Sequence, residues 1–246
     1  MDALTWLPAK TRRSIEDAVK GLERALGDDL VAALLVGAAA SPARPDRAQG
    51  PQVLAIARAL PPSHVTAIAT HCHDAMRAGV RVRALTADEL ARSADVFALE
   101  AAEWRDRHVV LSGGDPFEGL AIDGEDLRRS LEAAARGLVR RLRNRLIADL
   151  GTDGRRDDAA RAVADAVERS LVLAHHFLAT DGPPPEEESE LLDSLSEAAG
   201  VDGAPAKTLL AELRGKGRLA RPVEAAGTLL PWLEGVAAHI DRLGDG

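Results

Sequence analysis

Cysteine and aromatic residues are scarce in this chain. Its 246 residues include one Cys, three Trp, three Phe, two Met and no Tyr. A single thiol, Cys72, excludes an intrachain disulfide and any metal site built on several cysteines, and it fits a reducing cytoplasm. No stretch reaches the roughly 18 uninterrupted apolar residues of a membrane span. The opening MDALTWLPAKTRR lacks the basic start and apolar run of a secretory leader. A strongly basic segment is missing too. The formal charge is −8 and both halves are mildly acidic, which disfavours nucleic acid as a partner and points to a soluble protein making local contacts.

What is present is aliphatic. Hydrophobic residues make up 46% of the chain, enough to bury a substantial core in one large or two smaller domains. Residues 11–27 set Ile15, Val19, Leu22 and Leu26 at helical spacing before Gly27, which predicts an amphipathic opening helix. Leu30–Val36, stopped by Gly37, reads as a buried strand, although its alanines leave a helix open. VLAIA at 53–57 reads as a second strand and VRVRAL at 80–85 as a third with one exposed face. Between them, 61–79 reads as one crossover helix begun by prolines and ended by Gly79. Thr86 and Glu89 form a capping box, HVVL offers another strand, and SGGDPFEG is a turn-rich connector.

Beyond about Ile122 the periodicity changes. Leu127, Leu131, Ala134, Leu138, Leu142 and Leu146 fall on one stripe of a long helix. Further helices are expected at 156–180, after DGPPP, at 205–213 and at 222–243. Short turns between amphipathic helices imply an antiparallel bundle. The expected class is α+β, with an α/β domain at 1–122 holding a small mixed sheet and an all-α bundle at 123–246.

A strand ending in glycine, a loop and a second strand is a common frame for nucleotidyl transfer. That chemistry needs two or three carboxylates to hold divalent ions on the attacking and leaving oxygens. The blocks LLVGAAA, ALTADELARSADVFALE, DRHVVLSGGDPFEGL and LRRSLEAAARGLVRRLR resemble bacterial nucleotidyltransferase-domain proteins of the polymerase-β-like superfamily. Their C-terminal helical bundles are similar to those of kanamycin nucleotidyltransferase and HEPN proteins. The resemblance implies a nucleotide-contacting loop at Gly37, Ala38 and Ser41. It also implies two acids at the start of the second strand, where this chain has Gly50 and Gln52, and an acid on the third, where Arg81 and Arg83 stand. The family's loop serine is Ala38 here, and Asp46 is the lone acid between the first two strands.

The expectation is therefore a catalytically degenerate nucleotidyltransferase fold, leaning away from an enzyme, with no catalytic residue, metal or cofactor assigned. It would act as a cytoplasmic binding or assembly module, monomeric or homodimeric, with a protein partner and with a nucleotide left open as ligand. Alternatives are a nucleotide-binding protein, a transferase with an atypical metal site, and a HEPN-like ribonuclease using Arg169 and His175. On a continuous helix those two sit about 240° apart. By the same geometry His71 and His73 of HCHDAMR point about 200° apart and cannot share an ion, leaving a polar face with Cys72 partly buried. Arg136, Arg140 and Arg143 share a helix face that could grip a phosphate or an acidic partner. Trp6, Trp104 and Trp232 read as packing residues, with Trp6 open as a partner contact. His108 reads as structural.

Overall fold

The structure is a computed structural model and describes residues 4–41, 50–150, 156–217 and 219–242. The chain divides into two compact units, Met1–Asp123 and Gly124–Gly246. Asp46 lies outside the described residues.

In unit 1, α1 (Ala9–Leu26) precedes β1 (Leu30–Val36) and β2 (Gln52–Ala57). Then come α2 (Pro62–His71), α3 (His73–Arg77), β3 (Arg81–Thr86), α4 (Ala87–Val96), α5 (Ala98–Asp106) and β4 (His108–Gly113). The four strands form one mixed sheet in the order β3-β2-β1-β4. β1 runs antiparallel to both β2 and β4, while β2 and β3 are parallel, as their helical crossover requires. Because the sheet is covered on both faces, β1 and β2 read as unbroken apolar runs rather than alternating ones.

The two faces have separate cores. Ala33, Leu35, Val53 and Ala55 pack with Ile15, Ala18 and Leu22 of α1 and with Ile68, Cys72 and Ala75. On the other face, Ala32, Leu34, Val36, Leu54 and Ile56 meet Leu90 of α4, Trp104 of α5 and Phe117. The capping box forms as expected: the Thr86 amide donates to Glu89 Oε2 at 2.7 Å and the Glu89 amide to Thr86 Oγ1 at 3.0 Å.

The crossover departs from the single helix expected at 61–79. It breaks at Cys72, whose backbone (φ −99, ψ 4) leaves α-helical values, so His71 and His73 belong to different helices. Cys72 is fully buried rather than partly so, with Sγ 3.6 Å from the Ala18 carbonyl oxygen. The thiol packs inward against α1.

Unit 2 is all helix among the described residues: α6 (Gly124–Leu150), α7 (Arg156–Leu178), α8 (Glu188–Ala199), α9 (Ala204–Lys216) and α10 (Pro222–Arg242). The α6 stripe buries Leu131, Leu138 and Leu142, against a core that includes Val163, Val167, Leu191, Leu195, Leu229, Trp232 and Leu233. Trp232 is a packing residue whose indole N–H donates to the buried Ser196 Oγ at 2.9 Å. No helix among the described residues is long and apolar enough to cross a membrane.

Candidate functional site

The residues of interest in unit 1 gather at the end of the sheet where β1 turns away. Gly37 ends β1 with φ +74 and ψ −154, a region open to glycine and costly for other residues. It starts a tight 3-10 turn at Ala38–Ala40. Gly37 donates its amide to the Arg107 carbonyl at 3.0 Å, Ala40 to Gly37 at 2.9 Å and Ser41 to Ala38 at 3.2 Å. Of the three residues expected at a nucleotide, Gly37 and Ser41 thus direct their amides inward, and Ala38 has no hydroxyl. Trp6, which was open as a partner contact, fastens this turn: its indole N–H donates to the Ala39 carbonyl at 3.1 Å.

Registers across the sheet place the neighbouring positions. Val36 is opposite Gln52 and His108, and Gln52 is opposite Arg81. Residues directly across a sheet point to the same face. Arg81, Gln52, Val36 and His108 therefore form one rung, with Gly37 just beyond it. One rung deeper, Arg83 is opposite Leu54. The Arg83 guanidinium pairs with Glu100 of α5 and lies 4.9 Å from the Trp104 ring centroid, a cation–π contact worth about 0.5–1 kcal/mol. The strand positions themselves thus offer the neutral Gln52 amide and the Arg81 guanidinium, with Arg83 one rung deeper and held by Glu100.

Gly50 is the other position at which the resemblance implies an acid. It has φ +68, and a Cβ added there would sit 2.5 Å from the Gly79 carbonyl oxygen. This backbone leaves no room for an aspartate.

Two carboxylates escaped the sequence reading. Glu103 of α5 brings Oε1 within 3.6 Å of where a Gly37 Cβ would be. Asp115, in the connector after β4, lies 3.2 Å from His108 Nε2, while His108 Nδ1 is 3.1 and 3.0 Å from the Trp104 and Arg105 carbonyls. His108 also packs on Phe117, with centroids 4.9 Å apart. It ties the end of α5 to the connector, a structural role with a partner that the sequence reading had not supplied. The only signal for Glu103 was its place one helical turn after Glu100, which says nothing of a loop more than 60 residues earlier. Within either unit taken alone, no three His, Cys, Asp or Glu ligand atoms converge among the described residues.

In unit 2, α7 is unbroken through both Arg169 and His175, so the pair stays about 240° apart. Arg169 Nε is held 3.1 Å from both oxygens of Asp165, and Ser170 donates back to the Ala166 carbonyl at 2.7 Å. On α6, Arg136 pairs with Asp241 and Arg143 with Glu234, both on α10; Arg140 is exposed between them.

A four-stranded mixed sheet with helices on both faces, followed by a helical C-terminal part, defines a nucleotidyltransferase-like fold. The chain matches the structure of a spectinomycin adenyltransferase from Enterococcus faecialis, solved with ATP and spectinomycin. That match has a TM-score of 0.59 and 12% identity, and covers 94% of this chain and 99% of the other. At that identity it is the fold that is shared. No family model matches the chain, and no curated protein matches it.

Proposed function

We propose that this chain is a catalytically degenerate member of the nucleotidyltransferase fold that works as a binding or assembly module. Unit 1 is its transferase-like domain and unit 2 its helical bundle. The supporting observation is the register at the sheet end: Gln52 and Arg81 share the rung beside Gly37 and Arg83 lies one rung deeper, at the strand positions where the resemblance implies acids. Gly50 sits too close to Gly79 to carry one. Two-metal transfer depends on carboxylate ligands that clamp both the entering and the leaving oxygen. The sheet outlasts that loss because its two apolar cores hold it, and neither core draws on the acids.

The adenyltransferase neighbour is solved with ATP, which makes ATP the ligand to test first. A cytoplasmic protein partner, and association of no more than two copies, complete the proposal. The decisive assay incubates the purified chain with Mg²⁺, spectinomycin and each of ATP, GTP, CTP and UTP, and follows pyrophosphate release. Release should equal that of the protein-free control; release that a chelator abolishes would overturn the reading.

A further inference from the structure

Helix α1 buries one side in unit 1 and turns a charged row to solvent. Ile15, Ala18, Leu22 and Ala25 join the core beneath it. Lys10, Arg13, Asp17, Lys20 and Arg24 are exposed and follow one another at alternating spacings of three and four residues. At about 100° per residue they fall within about 80° of arc, and at 1.5 Å per residue the row is about 21 Å long. Among the described residues none of the five forms an ion pair, whereas Arg136, Arg143 and Arg214 of unit 2 are each held by a carboxylate of another helix. Those pairs join helices; the α1 charges join nothing. A cavity of about 400 Å³ opens along the first half of the row, lined by Ala9, Lys10, Arg13, Ser14 and Asp17. Ser14 donates its hydroxyl to the Lys10 carbonyl at 3.2 Å, so the charge of the cavity wall comes from Lys10, Arg13 and Asp17.

Three-four spacing is that of the line along which one helix receives another in a coiled coil. Here the charges along that line run plus, plus, minus, plus, plus. We infer that the row is a docking surface for an acidic helix of a protein partner, which repeats the spacing with carboxylates facing the four cations and one cation facing Asp17. The inference rests on the reading of the chain as an assembly module and names the kind of partner. The order of the charges selects this occupant over others. A second copy laid antiparallel over the full row sets Lys10 on Arg24, Arg13 on Lys20 and Asp17 on its own counterpart, and a parallel copy sets every charge on its like. Both arrangements oppose association. A nucleic-acid strand gains affinity by presenting phosphates in succession, and it has no cation to offer Asp17. Glu16 and Glu23 stand seven residues apart to one side of the row, about 40–60° from Lys20. That is the edge position at which paired helices set their flanking salt bridges, so the partner carries lysine or arginine along the matching edge.

The test uses the full chain and a fluorescent synthetic helix of about 21 residues, or six turns. The peptide carries glutamate at the four outer row positions, lysine at the central one and two lysines along one edge, and is made with that edge on either side. Anisotropy should show saturable binding of one of the two peptides. A peptide of the same composition with its charges scattered round the helix should bind at least tenfold more weakly. Arg13→Glu combined with Lys20→Glu should weaken binding at least tenfold, and a peptide with lysine at the two facing positions should recover it. Both side chains are exposed, and unchanged melting curves confirm that the variant folds. Arg92→Glu, on α4 across the sheet, should leave binding unchanged. Absence of saturable binding by either peptide overturns the inference, as does binding indifferent to the double reversal or to the scattering of charge, or a failure of the matched peptide to recover it. A single-stranded DNA of about 12 nucleotides whose binding the double reversal abolishes would assign the row to a polyanion, and a dimer in sedimentation that the reversal dissolves would assign it to a second copy; each overturns the inference. None of these failures touches the non-catalytic reading, which falls only to chelator-sensitive nucleotidyl transfer.

Discussion

The β3 strand of unit 1 and the charged helix surfaces of unit 2 set their arginines on different frameworks. In unit 2, arginines meet carboxylates that join helices: Arg136 with Asp241, Arg143 with Glu234, and Arg214 of α9 with both Glu168 of α7 and Glu188 of α8. Burial works to lower the Arg214 pKa, but its hydrogen bonds to Glu168 and Glu188 overcome this and raise it. In unit 1, Arg83 of β3 pairs with Glu100 of α5 and lies over Trp104, and Arg81 stands opposite Gln52, on the strand where the resemblance implies an acid. The first arrangement builds a scaffold; under the proposed reading, the second stands where a metal site would need acids. The comparison separates what holds the fold from the catalysis proposed to be lost.

The largest expected effect lies in the scaffold. Trp232→Ala opens a cavity in the bundle and leaves Ser196 without the indole N–H, so urea unfolding should show a loss of about 3–5 kcal/mol. A loss under about 1 kcal/mol would mean that the bundle core is not organised around this residue. Next comes Gly50→Asp, which places an acid where the resemblance implies one. It forces a side chain into a left-handed conformation against the Gly79 carbonyl and should cost about 3 kcal/mol through strain and clash. If this variant is as stable as the parent chain, position 50 is open to an acid and the steric account of its absence fails. Arg214→Ala leaves Glu168 and Glu188 facing each other without their shared cation and should cost about 2 kcal/mol, less than a fully buried pair because the site is part exposed. High salt should not reproduce that loss if the geometry, rather than long-range attraction, carries it.

The smallest effect concerns Cys72. Burial raises the thiol pKa above its ordinary value of 9.0, and the Arg24 charge opposes this to a lesser degree. The folded chain therefore holds the proton more tightly than the unfolded one. This contribution is complete below the unfolded pKa and is lost as pH rises through the folded one. Melting temperature should fall more steeply above about pH 9 in the parent chain than in Cys72→Ala, on the unfolded thiol value. Parallel pH profiles would show that the thiol is not held away from water.

Much of the fold was legible in the sequence because it is repetitive. The α6 leucines recur at helical spacing and three of the six predicted positions are fully buried. The strands at 30–36 and 53–57 are apolar runs between breakers, and Thr86 and Glu89 cap their helix as spaced. The break at Cys72 was not legible, since the contact its thiol makes is with Ala18, 54 residues away. The candidate site divides the same way. The identities of Gln52, Arg81 and Arg83 could be read directly. That Gly50 cannot take a side chain, that Glu103 reaches Gly37 and that Asp115 reaches His108 all depend on contacts between distant segments, which no local pattern encodes.

The central proposal is that the sheet end beside Gly37 does not assemble a metal centre. Isothermal titration of the full chain with ATP, with Mg²⁺ and then with a chelator, tests it most directly. The account predicts that Mg²⁺ gives no gain in affinity, whether or not ATP binds. Binding that strengthens at least tenfold with Mg²⁺ would mean that carboxylates such as Glu103 assemble a metal site after all, and would contradict it.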